Sequence, residues 1–132
     1  MSGEINLKAL LKTLKAKLVD GTYVFVTISA EDEPSGLNPR MRFVESEGVT
    51  LIVLKSEAEA HNLPFEFPSR MITLDVHSSL EAVGFMAVIA TELAKENMGV
   101  NPVSGFYHDH IFVPEGREDD ALNVLARIVN QA

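Results

Sequence analysis

The sequence predicts an α+β fold built from two related halves, each with an antiparallel sheet covered by helices. Strand and helix patterns follow one another as α-β-loop-β-β-α and then as β-α-β-β-α along the 132 residues. In both halves a hairpin runs into a helix that begins with acidic residues, as MRFVESEGVTLIVLKSEAEAHNL and PVSGFYHDHIFVPEGREDDALNVL show. We place the halves at residues 1–66 and 67–132. Neither half has a clean final strand, so we expect each to complete the other's sheet.

The first half begins with an amphipathic helix. Leucines recur at the helical period from Leu7 to Leu18, and Asp20-Gly21 ends the helix. Thr22–Ser29 is dense in β-branched and aromatic residues and is predicted as a strand. Glu31–Pro39 carries two prolines and a glycine, which predicts a loop. Two hairpin strands and a short acidic helix complete this half, at Met41–Glu45, Val49–Leu54 and Ser56–Asn62.

The second half opens with a predicted strand at Met71–Val76 and a helix at Ser78–Lys95. Ser78 and Glu81 have the spacing of a capping box, in which the serine caps the first turn and the glutamate reaches back. A hairpin and a final helix complete the half, with strands at Val103–Tyr107 and His110–Val113 and a helix that follows Gly116.

Composition excludes several classes of protein. The formal net charge of −8 argues against a nucleic-acid-binding surface. The absence of cysteine excludes disulfides, thiolate metal sites and thiol nucleophiles, and it favours a cytoplasmic protein. The most apolar helical stretch, Val83–Ala90, is much shorter than the ~20 residues that span a bilayer, so no membrane association is expected. This stretch is apolar almost all round, which predicts packing against a second half or subunit and hence a homodimer.

One long stretch of the second half resembles a known family. LDVHSSLEAVGFMAVIATELAKENMGVNPVSGFYHDHIFVP, within residues 71–127, resembles the ACT domain, a small ferredoxin-like module of β-α-β-β-α-β order that senses amino acids. The strand that ends at His77, the helix with Gly84 in its first turns and the exit Met98–Asn101 carry the resemblance. HSSLEAVG replaces the family's acid-x-x-Pro-Gly turn. The complete chain, with its motif YHDHIFVP, resembles bacterial stand-alone tandem ACT proteins without an attached enzyme.

The resemblance implies two ferredoxin-like halves and a regulatory role. An amino acid or similar small molecule would be held where two ACT units meet, with no cofactor. The implied ligand contacts are His77, Ser78, Ser79 and Leu80 on the loop after the first strand. Asn101, at the start of the second strand of a neighbouring unit, is the implied contact from the other side.

Physical chemistry gives the same loop a role in binding. If a helix begins at Ser78, the free amides of its first turn lie at the positive end of the helix dipole and suit a carboxylate. The alternative is that Ser78 only caps its helix. Asn101, which precedes Pro102, is likewise either a ligand contact or part of a turn where the strand begins.

Three histidines are expected at one edge of the sheet. If the β-α-β-β topology holds, the first and second strands run parallel, and His77, His108, Asp109 and His110 gather where the first strand ends. Imidazole and carboxylate groups bind zinc and similar ions, so His77, His108 and His110 are candidate metal ligands. The favoured alternative is a hairpin turn in which these side chains bond backbone amides.

No catalytic motif is present in the sequence. It contains neither a Gly-x-Ser-x-Gly elbow nor a glycine-rich phosphate loop, and Asp75, His77 and Ser78 are only sequence neighbours. We therefore expect no enzymatic activity. The first hypothesis is a regulatory protein that binds an amino acid. The alternatives are a protein–protein adaptor that keeps the fold without a ligand, and a metal-binding protein.

Overall fold

The computed structural model describes residues 3–132. It contains four α-helices and seven β-strands within that range, and a short 3₁₀ turn at Ala30–Asp32. The helices are α1 (Leu7–Thr13), α2 (Lys55–Ala60), α3 (Phe85–Ala94) and α4 (Glu118–Gln131). The strands are β1 (Ala16–Leu18), β2 (Tyr23–Ile28), β3 (Met41–Val44), β4 (Val49–Leu54), β5 (Glu66–Leu74), β6 (Asn101–Ser104) and β7 (Asp109–Pro114).

The chain divides into two compact units. The larger unit joins the described residues up to Val19 with Arg70–Ala132, and the smaller unit is Asp20–Ser69. Strand β5 contributes residues to both units. The predicted division into residues 1–66 and 67–132 stays a prediction about domain organisation, because the compact units follow spatial packing rather than one cut in the chain.

The sheet of the larger unit has the strand order β1-β5-β7-β6. Strand β1 pairs antiparallel with β5, with Ala16 opposite Leu74, and β6 pairs antiparallel with β7. Helices α1, α3 and α4 pack against one another over a single apolar core. Its fully buried side chains include Leu10, Ile72, Leu74, Ile89, Leu93, Ile111 and Leu125.

The smaller unit has the strand order β3-β4-β2-β5. The pairing of β2 with β4 and of β3 with β4 is antiparallel throughout. Helix α2 packs on β2 and β4. The core is made of small branched and aliphatic side chains: Val24, Val26, Val49, Leu51, Val53 and Ala58. The predicted strand at 22–29, the hairpin at 41–54 and the acidic helix that follows it are confirmed.

The N-terminal helix is shorter than predicted. It ends at Thr13, where Leu14 is extended (φ −59°, ψ 133°), and residues 16–18 form strand β1. The leucine period continues past the helix because Leu14 still faces the core. The free edge of β5 offers backbone partners to residues 16–18, and that pairing outweighs helix propensity. Residues of the first half pair with Ile72, Thr73 and Leu74, so the first half completes the sheet of the second as expected.

The helix predicted from Ser78 begins seven residues later, at Phe85. Its N-cap is Gly84, whose φ of 92° favours glycine. The prediction of a capping box at Ser78 and Glu81 is therefore wrong. The Ser78 side chain instead donates a hydrogen bond to Asp109, which removes it from the helix start. Residues 75–84, here called the site loop, connect β5 to α3.

The second hairpin also differs from its prediction. Strand β6 begins at Asn101 and ends at Ser104, and β7 begins at Asp109. The turn thus occupies residues 105–108 rather than centring on His108-Asp109, and Gly105 N–H donates to the carbonyl of His108 across it. Strand β5 starts at Glu66, five residues before the predicted start. The final helix is confirmed.

Truncation of Leu10 tests whether α1 belongs to the core. Leu10 is fully buried in the larger unit, so Leu10→Ala is expected to lower the free energy of unfolding by about 2–5 kcal/mol. Urea titration followed by circular dichroism measures this change. Lys12→Ala, on the exposed side of the same helix, is the matched control and should change it by less than about 0.5 kcal/mol. Equal small effects would contradict the packing of α1.

Candidate functional site

A pocket lies in the larger unit where the site loop meets the β6–β7 hairpin. Its volume is about 130 Å³. The site loop and the start of α3 form one side, and the end of β6 and the start of β7 form the other. The lining residues are Ser78, Ser79, Leu80, Ala82, Phe85, Met86, Ser104, Gly105 and Asp109. Three of the five sequence-predicted ligand residues, Ser78, Ser79 and Leu80, are thus brought together.

The polar part of the pocket is formed by Ser78 and Asp109. Both are buried, with 8% and 9% of their surface exposed. Ser78 Oγ donates to Asp109 Oδ2 over 3.1 Å, and this bond ties the site loop to the first residue of β7. Asp109 shares its strand face with Ile111 and Val113, which belong to the core. The strand period thus turns Asp109 to the same side as these core residues.

The apolar part of the pocket is formed by Leu80, Ala82, Phe85 and Met86. Phe85 is buried, whereas Leu80 is 67% exposed at the rim. Phe85 and Met86 are the first two residues of α3, so their amides have no acceptor within the helix. The pocket therefore combines an apolar wall with the positive end of a helix dipole.

The backbone of the site loop is held by the N-terminal segment. Glu4 N–H donates to the carbonyl of His77 over 2.8 Å, and Ser79 N–H donates to the carbonyl of Glu4 over 2.9 Å. A Cβ at Gly3 would lie 2.5 Å from the His77 carbonyl oxygen, so glycine is required for this approach. The expectation of free amides at Ser78 is wrong, because Ser78 N–H also donates to Val76. The free amides of a helix start lie instead at Phe85 and Met86.

His77 lies beside the pocket and contacts aromatic rings. Its ring centroid is 5.4 Å from that of Tyr107 and 6.3 Å from that of Phe106. Both aromatic side chains sit in the hairpin turn and are more than half exposed. His77 is therefore part of an exposed aromatic cluster and does not line the pocket.

Asn101 lies away from the pocket. It is the exposed first residue of β6 and pairs with Phe112 of β7. It precedes Ser104 by three positions, which corresponds to about 10 Å along a strand. The family resemblance implies that Asn101 contacts a ligand held by a neighbouring unit, and this role stays a prediction.

The other two candidate metal ligands, His108 and His110, each contact a polar side chain of another residue. His108 Nε2 is 3.1 Å from Asp75 Oδ1, and His110 Nδ1 is 3.0 Å from Thr73 Oγ1. The two rings are 6.3 Å apart, centroid to centroid. Within residues 3–132, no group of three or more histidine, aspartate or glutamate side chains is arranged to hold a metal ion. The geometry gives no support to a metal site at His77, His108 and His110.

Asp75 begins the site loop and contacts the side chains of Lys17 and His108. Lys17 of β1 lies 2.7 Å from its Oδ2. The hydrogen bond from Lys17 is the main cause that lowers the pKa of Asp75, and the charges of Lys17 and His108 add to it while partial desolvation opposes it. The arrangement anchors the start of the loop to β1.

Comparison with known proteins places the chain in a family. The ACT domain family matches residues 2–70 and, a second time, residues 66–127. The chain therefore belongs to the ACT domain family and carries two ACT domains in tandem, and the predicted ferredoxin-like fold is confirmed. ACT domains are regulatory rather than catalytic modules, which supports a regulatory, ligand-binding role in general. No curated protein matches the chain.

Solved structures share the fold. A Vibrio cholerae protein of unknown function, described as a possible transport protein, is 38% identical, with a TM-score of 0.84 over 93% of this chain and 95% of that one. A protein from Agrobacterium tumefaciens is 16% identical, with a TM-score of 0.75 over 88% and 89% of the two chains. The ligand-free regulatory subunit of aspartate kinase from Thermus thermophilus is 11% identical, with a TM-score of 0.63 over 89% and 99%. The last two likenesses show the fold alone.

A search for membrane-spanning segments gave a negative result: no helix within residues 3–132 is both long enough and apolar enough to cross a bilayer.

The ion pair at the start of the site loop gives stability a defined acid dependence. Because the folded pKa of Asp75 is lowered, its contribution is present at neutral pH and is lost as the pH falls through that lowered value. Asp75→Asn should therefore reduce the loss of unfolding free energy between about pH 5 and pH 2. Urea titrations across this range measure it. Lys17→Ala should flatten the same part of the curve, and an unchanged curve in both variants would contradict the assignment.

Proposed function

We propose that this protein is a non-enzymatic regulatory sensor that binds an amino acid in the pocket between the site loop and the β6–β7 hairpin. One observation carries the proposal. Ser78, Ser79 and Leu80, the loop positions at which the family resemblance implies ligand contacts, line a common pocket with the start of α3. A regulatory module needs such a site on its own surface to respond to a metabolite.

The chemistry of the pocket suits an amino acid with an apolar side chain. The free amides at Phe85 and Met86 would receive the carboxylate, because a helix start donates hydrogen bonds at the positive end of its dipole. Leu80, Ala82 and the Phe85 ring would contact the side chain. A volume of about 130 Å³ favours a small ligand over a nucleotide.

The similar structures support a regulatory role. The Thermus thermophilus protein is the regulatory subunit of an aspartate kinase, and we extend the regulatory part of that description to this chain by analogy of fold. We further propose a cytoplasmic protein with a small-molecule ligand and without a nucleic-acid or membrane partner.

Exposed apolar residues near the pocket favour a homodimer. Leu80, Val83, Phe106 and Tyr107 are all more than half exposed. Large apolar side chains at one end of a unit are typical of an interaction surface. In the proposed dimer this surface meets a second ACT unit, and Asn101 of the neighbouring unit completes the ligand contacts.

The same apolar residues favour one alternative, a protein–protein adaptor that keeps the fold without a ligand. An adaptor would bury Phe106 and Tyr107 against another protein. It would have no use for the pocket, so ligand binding separates the two functions.

A thermal-shift screen of the twenty amino acids tests the sensor function. A ligand at about 100 times its dissociation constant should stabilise the protein by ~2.7 kcal/mol, which raises the melting temperature by several degrees. At least one apolar amino acid is expected to produce this shift. Absence of a shift with every amino acid would contradict the sensor function and favour the adaptor.

Filling the pocket should abolish the shift. Ser104 lines the pocket from an exposed position on β6, so Ser104→Trp is expected to block the ligand while the fold is kept. Ser46→Trp, in the exposed hairpin turn of the smaller unit, is the matched control and should retain the full shift. Retention of the shift in both variants would place the ligand elsewhere.

A further inference from the structure

Asp109 is a buried carboxylate without a cationic partner. Its exposed fraction is 9%, and its one side-chain hydrogen bond comes from the uncharged hydroxyl of Ser78. No lysine, arginine or histidine within residues 3–132 forms an ion pair with it. This arrangement is unusual, because buried aspartates are normally paired with a positive charge.

The basic side chains of the larger unit that form ion pairs contact acids other than Asp109. Lys17 and His108 both pair with Asp75, and Arg70 pairs with Glu118. Arg117 pairs with Asp120. Asp75, Glu118 and Asp120 thus have basic partners, whereas Asp109 has only the Ser78 hydroxyl among the described residues.

The position of Asp109 explains why its charge matters. It lines the same pocket as the apolar residues Leu80, Phe85 and Met86. A carboxylate accepts hydrogen bonds at about four lone-pair sites, and the Ser78 hydroxyl fills one of them. A positive group that enters the pocket would find a partially desolvated anion, where charge–charge attraction is stronger than in water.

We propose that Asp109 binds the ammonium group of the ligand and so makes the pocket selective for compounds that carry a primary amine. The proposal rests on the proposed function, and it goes further by naming the residue that distinguishes amino acids from keto acids and hydroxy acids of the same shape. Ser78 is a positioning residue, because its hydrogen bond holds the Asp109 carboxylate.

The test compares each amino acid with an analogue that lacks the amine. L-valine, L-leucine and L-methionine are titrated into the wild-type protein by calorimetry, each beside the 2-hydroxy acid in which a hydroxyl group replaces the ammonium group. Loss of one partner of a buried charge pair typically weakens binding by about thirtyfold or more. We expect the amino acid to bind more tightly than its hydroxy acid by at least that factor.

A pair of charge variants assigns the selectivity to Asp109. Asp109→Asn should lower the affinity for the amino acid by about thirtyfold or more and leave the affinity for the hydroxy acid little changed. Asp119→Asn removes an equal charge from the exposed first turn of α4 and should leave both affinities unchanged. Melting curves identify a variant that does not fold, and in that case the wild-type comparison decides.

Each outcome separates the inference from the proposed function. Equal binding of amino acids and hydroxy acids, or binding of the hydroxy acids alone, would overturn the role of Asp109 and leave a ligand-binding sensor. Unchanged selectivity in folded Asp109→Asn would do the same. If none of the six probes binds and the screen of twenty amino acids is also negative, the sensor function itself fails.

Discussion

The antiparallel pairing of β1 with β5 is the interaction on which the larger unit depends. It gives residues 70–132 the fourth strand that they lack and covers the edge of β5. The same segment carries α1 onto the core through Leu10 and Leu14. It also places Lys17 beside Asp75, where the site loop begins. A stretch of the N-terminal chain therefore completes the sheet, closes the core and anchors the start of the site loop.

The site loop is held at three points, and these points shape the pocket. Glu4 pairs with its backbone at His77 and Ser79, Lys17 binds Asp75, and Ser78 reaches across to Asp109. These contacts use backbone groups of His77 and Ser79 and the side chains of Asp75 and Ser78. The pocket is lined by the Asp109 carboxylate and by Phe85 and Met86, the first residues of α3 at the positive end of its dipole. A zwitterion matches this combination of positive and negative ends.

Local patterns predicted most of the fold, whereas the candidate ligand residues Ser78, Ser79 and Leu80 came from the family resemblance. The alternation in β2 and β4 and the apolar stripe of α4 depend on neighbours in sequence, and these elements were predicted closely. The end of α1 and the start of α3 were predicted wrongly because they depend on contacts with residues that are distant in sequence. Ala16–Leu18 continue the helical leucine pattern in the sequence but pair with β5 in the structure. Ser78 was predicted to cap a helix but donates a hydrogen bond to Asp109. No local pattern contains either partner, so the sequence predicts neither the pairing of β1 with β5 nor the hydrogen bond between Ser78 and Asp109.

The proposed sensor binds an amino acid at the end of β5 in the larger unit. Nuclear magnetic resonance of the ¹⁵N-labelled protein, titrated with leucine, valine and methionine in turn, tests it most directly. At least one of these titrations should move the amide signals of residues 78–86 and 104–109 together, with saturation at a common ligand concentration. Titrations that move no signals, or that move only those of residues 20–69, would contradict the claim.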